Sequence, residues 1–239
     1  MKTNFTLSLI VMLIAFNQLS HAQTRIAHDK FDVGNFHTIK ASTVANISIK
    51  QSNTTEVTAE GNEELLNALD VQLRNGILIL DMNDKILRKY KKRNDRLKIN
   101  ISVPSLKEIE HEGVGGITIR NKFSVPELII NSEGVGNITA ENLDCDFVKV
   151  DLEGVGNISL AGVANRVEID SEGMGNISAV KLKANEAIVS SEGVGNVSCY
   201  ASDFLKVRSE GIGSVDYYGN PARKDLGKKG IGRINARRN

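Results

Sequence analysis

This 239-residue chain lacks several features that define common protein classes. Its charge is balanced, with 30 Lys and Arg against 29 Asp and Glu, which argues against a nucleic-acid binder. Two cysteines, Cys145 and Cys199, do not suit a disulfide-stapled scaffold. No segment approaches ~18 consecutive apolar residues, so we expect no transmembrane segment in the mature chain.

The first residues have the three regions of a secretory signal peptide. Lys2 precedes an apolar run from Leu7 to Phe16, and the small-residue tripeptide Ser20-His21-Ala22 follows. We therefore predict a signal peptide over residues 1–22, cleaved before Gln23, and an exported protein in the periplasm, on the cell surface or secreted. Gln23, not a cysteine, stands directly after the predicted cleavage site, so we expect no lipid anchor there.

A short unit, written "LEGVGNISL" at residues 152–160, recurs along the second half of the chain. Each unit has a glutamate directly before its first glycine, except the last unit, which has a lysine there. These residues are Glu112, Glu133, Glu153, Glu172, Glu192, Glu210 and Lys229. A period near 20 residues is typical of a solenoid. The units are rich in Val, Ile, Ser and Thr, and their apolar residues do not recur at helical spacing, so we predict coils of β-strand. This disfavours leucine-rich repeats.

The apolar positions of each unit share one side-chain parity, counted from the glutamate. Five before it stand Leu128, Val148, Val167, Ala187 and Leu205, and three before it Ile109, Ile130, Val150, Ile169, Val189 and Val207. Five after it stand Ile117, Ile138, Ile158, Ile177, Val197, Val215 and Ile234, and seven after it Ile119, Ala140, Leu160, Ala179, Cys199, Tyr217 and Ala236. Successive side chains of a strand point to opposite faces, so these columns form the core.

The two glycines of each unit, such as Gly154 and Gly156, have the same inward parity. We expect them to let the wall bend tightly or carry positive φ. About twenty residues at ~3.3 Å make a coil of about 65 Å, which suits three short strands, and coils stack at ~4.8 Å. The sequence therefore predicts a parallel β-helix. Cys145 and Cys199 would lie about 14 Å apart, beyond disulfide reach, so we expect buried thiols.

The first part of the mature chain, residues 23–104, lacks the glycines but keeps strand patterns. Alternation predicts strands at Asn46–Ile49, Glu56–Ala59 and Leu97–Val103. A helical or turn segment is expected at Glu63–Leu69, and Asn75-Gly76 indicates a tight turn. We predict that this part begins the superhelix and caps it, with the repeat coils over residues 105–239, from about Leu106.

A basic tract, "KILRKYKKRNDR", occupies residues 85–96 around Tyr90. One interpretation is a polyanion-binding segment. The favoured one is a solvated hairpin loop, whose charges keep a strand edge from pairing.

The order of these parts resembles a known family. The passages "FHTIKA", "VTAEGNEELL" and "LKINISVPSLKEIEHEG", followed by tandem Gly-x-Gly coils, are similar to the GIN domain, proposed as the head domain of autotransporter adhesins in exported bacterial proteins. The resemblance covers about residues 30–239. It implies a right-handed parallel β-helix in the cell envelope with no established enzymatic activity. The family coil commonly reads Ser-Gly-Ser-Gly-Asp, whereas this chain has Glu-Gly-Val-Gly-Asn, and the differences fall on outward positions.

The glutamates should form an outward ladder, with neighbours ~5 Å apart that repel by about 0.8 kcal/mol in water-like dielectric. Such a ladder recruits cations only if other oxygen ligands complete the site. Calcium is the natural candidate, with Glu133, Glu153, Glu172 and Glu192 as weak ligand candidates, but the Gly-Gly-x-Gly-x-Asp repeat of calcium-binding solenoids is absent. We therefore expect no metal and no cofactor.

A glycan-active β-helix enzyme, a polysaccharide lyase or hydrolase, is the alternative function, because carboxylates near 5 Å apart occur in retaining glycosidases. Such catalysis needs two carboxylates whose surroundings give them different pKa values, and here every glutamate has the same neighbours as the glutamate of the next coil. His28, His37 and His111 belong to no recognisable catalytic or metal-binding pattern. We favour a noncatalytic envelope or surface protein, structural or adhesive, whose partner is an envelope protein or a glycan.

Two further outward columns flank one another. Asn137, Asn157, Asn176 and Asn196 should form an amide ladder that stabilises the stack. The second column, which we call the apolar stripe, comprises Val114, Val135, Val155, Met174, Val194, Ile212 and Ile231. Either the glycine bend rotates the stripe into a corner of the core, or it is exposed and marks a contact surface. We predict a protein contact surface, either between copies of this chain or with another envelope protein, and self-association that is weak or needs a second surface.

Overall fold

The computed structural model describes residues 26–90 and 96–238. The predicted signal peptide, residues 1–22, and residues 91–95 of the basic tract lie outside the described residues. Strand makes up 65% of the structure and helix 5%, in a β-solenoid of about six turns with coils roughly 20 residues apart. The predicted all-β solenoid is confirmed. None of the helices in the described part of the chain has the length and apolar character needed to cross a membrane.

The first part of the chain contains seven strands and two short helices. In chain order these are β1 (Ile26–Phe31), β2 (Thr38–Ser42), β3 (Ala45–Gln51), β4 (Glu56–Asn62), α1 (Glu63–Asn67), β5 (Asp70–Arg74), β6 (Ile77–Asp81), α2 (Asp84–Tyr90) and β7 (Leu97–Val103). The predicted strands, the helical segment after Asn62 and the turn at Asn75-Gly76 are confirmed. Asn62 caps α1 by accepting from Glu64 N at 2.9 Å, and Asn75 and Gly76 both have positive φ.

The repeat units supply the remaining strands. These are β8 (Glu108–His111), β9 (Ile117–Arg120), β10 (Phe123–Ser132), β11 (Ile138–Leu152), β12 (Ile158–Ser171), β13 (Ile177–Ser191), β14 (Val197–Tyr200), β15 (Phe204–Ser209), β16 (Val215–Tyr218), β17 (Arg223–Lys228) and β18 (Ile234–Ala236). Each coil pairs in parallel with the next, for example Ile138 with Ile158 and Ile158 with Ile177. Equivalent residues of successive coils therefore lie above one another.

The in-phase pairing stacks the predicted core columns. All four columns are buried from the coil of Ile130 to that of Val215, as the shared parity predicts. The last described coil differs, because no described coil covers it: Ile234 is half-buried and Ala236 is exposed. Both cysteines are free and buried, and burial raises the pKa of Cys145 to about 11 and that of Cys199 to about 12. The predicted buried thiols are confirmed.

The coil order at the N-terminal end does not follow the chain. The coil of β2 and β3 pairs in parallel with β8 and β9 on one side and with β6 and β7 on the other. Three more strands then pair antiparallel: β4 with β7, β1 with β4, and β5 with β6. Antiparallel strands at a solenoid end stop further coils from stacking.

The expectation of a hairpin loop in the basic tract is wrong where the structure describes it, because residues 84–90 form α2. Asn83 accepts from Ile86 N at 3.1 Å and so caps the helix. Ile86 and Leu87 pack against the core, and Tyr90 is buried, with its hydroxyl donating to Glu64 Oε2 at 2.7 Å. Apolar residues between the charges therefore hold α2 against the core.

Backbone proximity at the glycine corner explains the repeated glycines. A Cβ on Gly175 would lie 1.6 Å from the carbonyl oxygen of Gly156, and the φ of Gly175 is +152°. We predict that Gly175→Ala lowers the free energy of unfolding by about 3 kcal/mol or more, because both backbone strain and overpacking oppose it. Gly34→Ala is the control, since its Cβ would meet a flexible Leu73 side-chain atom at 3.2 Å. Urea unfolding of both variants measures the difference, and equal stabilities would contradict the account.

Candidate functional site

The apolar stripe runs along the glycine corner as a ladder of single bridges between successive coils. Its side chains are exposed by 41% to 75% from the second member onward. These members are Val135, Val155, Met174, Val194, Ile212 and Ile231. The first member, Val114, is half-buried, and Val44 of the preceding coil is completely buried. Of the two alternatives that the sequence left open, the structure therefore has the exposed column.

At the corner, the backbone N–H and C=O groups of the stripe residues bond to neighbouring coils, so only the side chains of the stripe project into solvent. Val155 N donates to Gly134 O at 2.9 Å, and Gly136 N donates to Val155 O at 3.0 Å. The neighbouring glycines point inward, where a Cβ at Gly134 or Gly136 would lie 2.4 or 1.7 Å from a carbonyl oxygen of the previous coil. Stripe and glycine positions cannot exchange faces, because a one-residue shift would drive side chains into backbone.

The glutamate ladder lies on one side of the stripe. Glu133, Glu153, Glu172 and Glu192 are all exposed, as predicted. Lysines flank the two ends of the ladder: Lys40 lies 3.0 Å from Glu110 and also pairs with Glu112, and Lys229 lies 2.9 Å from Glu210. Within residues 26–90 and 96–238, no three His, Cys, Asp or Glu side chains are grouped so as to hold a metal ion.

The asparagine ladder lies on the other side of the stripe. Asn157 Nδ2 donates to Asn137 Oδ1 at 3.1 Å, and Asn176 Nδ2 donates to Asn157 Oδ1 at the same distance. Each Oδ1 also accepts from the next backbone N–H, such as Asn176 N to Asn157 Oδ1 at 3.1 Å. The predicted amide ladder is confirmed.

Sequence reasoning missed an asparagine at the equivalent position of an earlier coil, which Gly116 separates from the ladder. Asn46 Oδ1 accepts from Gly116 N at 3.0 Å, although its coil lacks the glycine signature. The signal that was available is its position two residues after Val44, which matches the spacing of Asn137 from Val135.

A cavity of about 420 Å³ lies at the N-terminal end of the stripe. It is lined by Leu87 and Arg88 of α2, and by Glu112, Gly113, Val114, Glu133, Gly134 and Val135 of two successive corners. Helix α2 thus forms a wall where the stripe begins. Sequence reasoning missed this cavity because it predicted a hairpin loop for the basic tract.

One more inward column was missed, directly before the glutamates. It consists of His111, Ser132, Leu152, Ser171, Ser191 and Ser209, all buried. His111 Nδ1 has no hydrogen-bond partner among the described residues, and burial lowers the pKa of His111 below its ordinary value of 6.5.

The buried histidine makes stability depend on pH. Below the ordinary pKa of histidine, 6.5, His111 becomes protonated in the unfolded chain but stays neutral in the folded chain. The contribution of neutral His111 to the free energy of unfolding is therefore fully present above pH 6.5 and falls below that pH. His111→Ser, which copies the equivalent Ser132, should reduce the loss of unfolding free energy between about pH 7.5 and about pH 5. Urea unfolding at both pH values measures it. His28→Ser is the control because that side chain is 73% exposed; an unchanged pH dependence in His111→Ser would contradict the prediction.

The asparagine ladder should contribute measurably to stability. Asn157→Ala removes an acceptor for Asn176 and a donor to Asn137. We expect a loss of about 1–2 kcal/mol in unfolding free energy, since exposed hydrogen bonds each contribute about 1 kcal/mol. Asn142→Ala, at an exposed asparagine outside the ladder, is the control. Thermal or urea melts that show equal stability for the two variants would contradict a stabilising ladder.

These features define a β-solenoid protein with a glycine corner and an exposed apolar column. The chain belongs to the family described as "Putative auto-transporter adhesin, head GIN domain", which matches residues 35–221. This confirms the resemblance seen in the sequence.

Solved structures share the fold. A "putative adhesin" from Bacteroides fragilis is 34% identical, with a TM-score of 0.85 over 90% of this chain and 98% of that one. A "putative adhesin" and a "putative lipid binding protein" from Parabacteroides distasonis are 19% and 21% identical. Their TM-scores are 0.65 and 0.67, covering 88% of this chain and 97% and 96% of theirs. No curated protein matches the sequence.

Proposed function

We propose that this chain is a noncatalytic, exported envelope or surface protein that binds another protein through the apolar stripe. The observation that carries the proposal is the exposure of six consecutive stripe residues, each more than two-fifths accessible. Contiguous exposed apolar surface of this kind is typical of contact sites. Membership in a family named for adhesins supports a binding role.

The dimensions of the stripe set the expected strength of the contact. Stacked at ~4.8 Å, its seven residues run about 29 Å from first to last. That length is enough for a modest interface, but one side chain in width is too narrow for a strong one. The flanking glutamates and asparagines supply a polar rim. Self-association is therefore expected to be weak, and a firm complex needs a second surface.

The noncatalytic assignment has its own support. The four inner glutamates of the ladder repeat in equivalent surroundings, so no pair among them has one carboxylate set apart as an acid and the other as a base. They are Glu133, Glu153, Glu172 and Glu192. Incubation with a panel of polysaccharides should release no new reducing ends or unsaturated products. Reproducible cleavage that disappears in Glu153→Gln would contradict the proposal and favour a glycan-active enzyme.

The stripe itself is tested by Val135→Ser, Val155→Ser and Val194→Ser in one protein. Each change lies at the surface, so each should alter the unfolding free energy by about 0.5 kcal/mol or less. Chemical cross-links to a partner in producing cells, or between copies, should be lost. Val163→Ser, at an exposed valine outside the stripe, should keep them.

A second comparison separates contact from packing. Serine at the buried Val148, Val167 and Val189 should unfold the protein readily, because burial is lost and cavities form. If the stripe variant lost as much melting temperature as this core variant and kept its cross-links, the proposal that the stripe is a contact surface would be contradicted.

A further inference from the structure

Helix α2 stands at the corner of its own coil, beside the residue that precedes the stripe. It connects β6 to β7, and these strands pair with β2 and β3. Directly outside the helix, Met82 N donates to Ser42 O and Leu97 N donates to Val44 O, each at 3.1 Å. The helix therefore takes the place that a glycine corner has in the later coils.

The corner column becomes exposed with distance from α2. Val44 is completely buried, Val114 is half-buried, and Val135 is 41% exposed. All three are valines at equivalent positions, each bridged to the next, so their burial differs because of what covers them. Leu87 of α2 lines the cavity together with Val114 and Val135. A helix is therefore the element that this chain itself places over the start of the column.

Helix α2 is basic as well as apolar. Its sequence, DKILRKY, places Lys85, Arg88 and Lys89 around the apolar residues that pack on the core. Arg88 lines the cavity together with Glu112 and Glu133, which are the glutamates beside the covered part of the column. The start of the corner is thus covered by a basic, amphipathic helix.

The inner part of the glutamate ladder has negative charge that this chain does not balance. Lys40 pairs with Glu112, and Lys229 pairs with Glu210, at the two ends of the ladder. The four glutamates between these ends are exposed and form no ion pair within the described residues. They are Glu133, Glu153, Glu172 and Glu192. A partner on the adjacent stripe therefore meets apolar side chains with a row of carboxylates along one side.

The spacing of the stripe matches a helix better than a strand. Successive coils are ~4.8 Å apart, and one helical turn rises about 5.4 Å. Over the three intervals from Val135 to Val194, the stripe therefore covers about 14 Å and a helix about 16 Å. An extended strand along the same line has same-face residues about 6.7 Å apart and covers about 20 Å. Only the helix keeps its side chains opposite the stripe over these coils.

We propose that the partner segment on the stripe is a basic, amphipathic helix of another protein, which lies along the solenoid axis and continues the cover that α2 begins. Its apolar residues, three and four positions apart, contact Val135, Val155, Met174 and Val194. Lysines or arginines beside them face the glutamate ladder. The stripe of a second copy brings no cations opposite these glutamates, and an anionic lipid surface is repelled by them. This inference rests on the proposed function, because it names the partner of the same surface.

The probe is a fluorescent peptide of about 18 residues, designed as a helix with Leu three and four positions apart and Lys beside each Leu. It is titrated with the mature chain and followed by anisotropy. We expect saturable binding that weakens about tenfold or more in Glu153→Lys/Glu172→Lys, since attraction of charge becomes repulsion. The control, Glu141→Lys/Asp146→Lys, makes the same change in net charge at exposed residues outside the ladder. It should keep the affinity.

A second peptide separates helix binding from attraction of charge. It has the same composition with Leu and Lys in strict alternation, which makes an amphipathic strand, and we expect binding about tenfold weaker or less. Equal binding of the two peptides would overturn the proposal, as would absence of binding by the helical peptide or an equal loss in the control variant. So would a dimer of the mature chain, held by the stripe, that the helical peptide does not dissociate. Both peptides are tested on the unaltered protein, so this comparison does not depend on the folding of a variant.

Failure of this inference is distinguishable from failure of the proposed function. If the helical peptide does not bind but the stripe variant with three serines loses its cross-links in producing cells, the stripe contacts a different kind of segment. Only the helical partner is then overturned. If the peptide does not bind and the cross-links persist in the stripe variant, both proposals are overturned.

Discussion

The close approach of backbones at the glycine corner is the contact on which the rest of the structure depends. From Gly136 onward, carbonyl oxygens of one coil occupy the space that a Cβ of the second glycine in the next coil would need, at 1.5 to 1.7 Å. Only glycine permits this contact, so the corner fixes each coil in register with its neighbour. The same register places the core columns inside. It also places the glutamates, the stripe and the asparagines outside, each in its own column.

The core columns and the outward columns could be predicted from the sequence, because strand parity continues without interruption through the corner. Positions such as Ile158 and Val155 are three apart, and the structure puts one in the core and the other at the surface. The sequence left the position of the stripe open, because a bend that shifted the strand parity by one residue would have turned the stripe side chains into the core. The structure shows that the glycines bend the wall without such a shift, since each stripe residue bridges its equivalent in the next coil.

Other parts depend on long-range contacts that no local pattern records. The coil of β2 lies between β6 and β8, which are distant in the chain, so its place in the stack follows from three-dimensional closure. Helix α2 forms in a tract that its composition marks as a charged loop. Its Leu87 packs on the core and its Tyr90 hydroxyl reaches Glu64 across 26 positions of the chain. The cavity beside the stripe depends on that docking, so it was beyond prediction as well.

The glycine corner holds an apolar column at the surface, and we propose that this column contacts another protein. Thiol labelling tests it most directly, with Val155→Cys in a background where Cys145 and Cys199 are alanine, the residue at equivalent positions of neighbouring coils. We predict that a membrane-permeant maleimide labels this cysteine rapidly in the isolated protein and slowly in producing cells. Ser159→Cys, exposed on the same coil, should be labelled equally in both. Equal, rapid labelling of Val155→Cys in cells would contradict the claim.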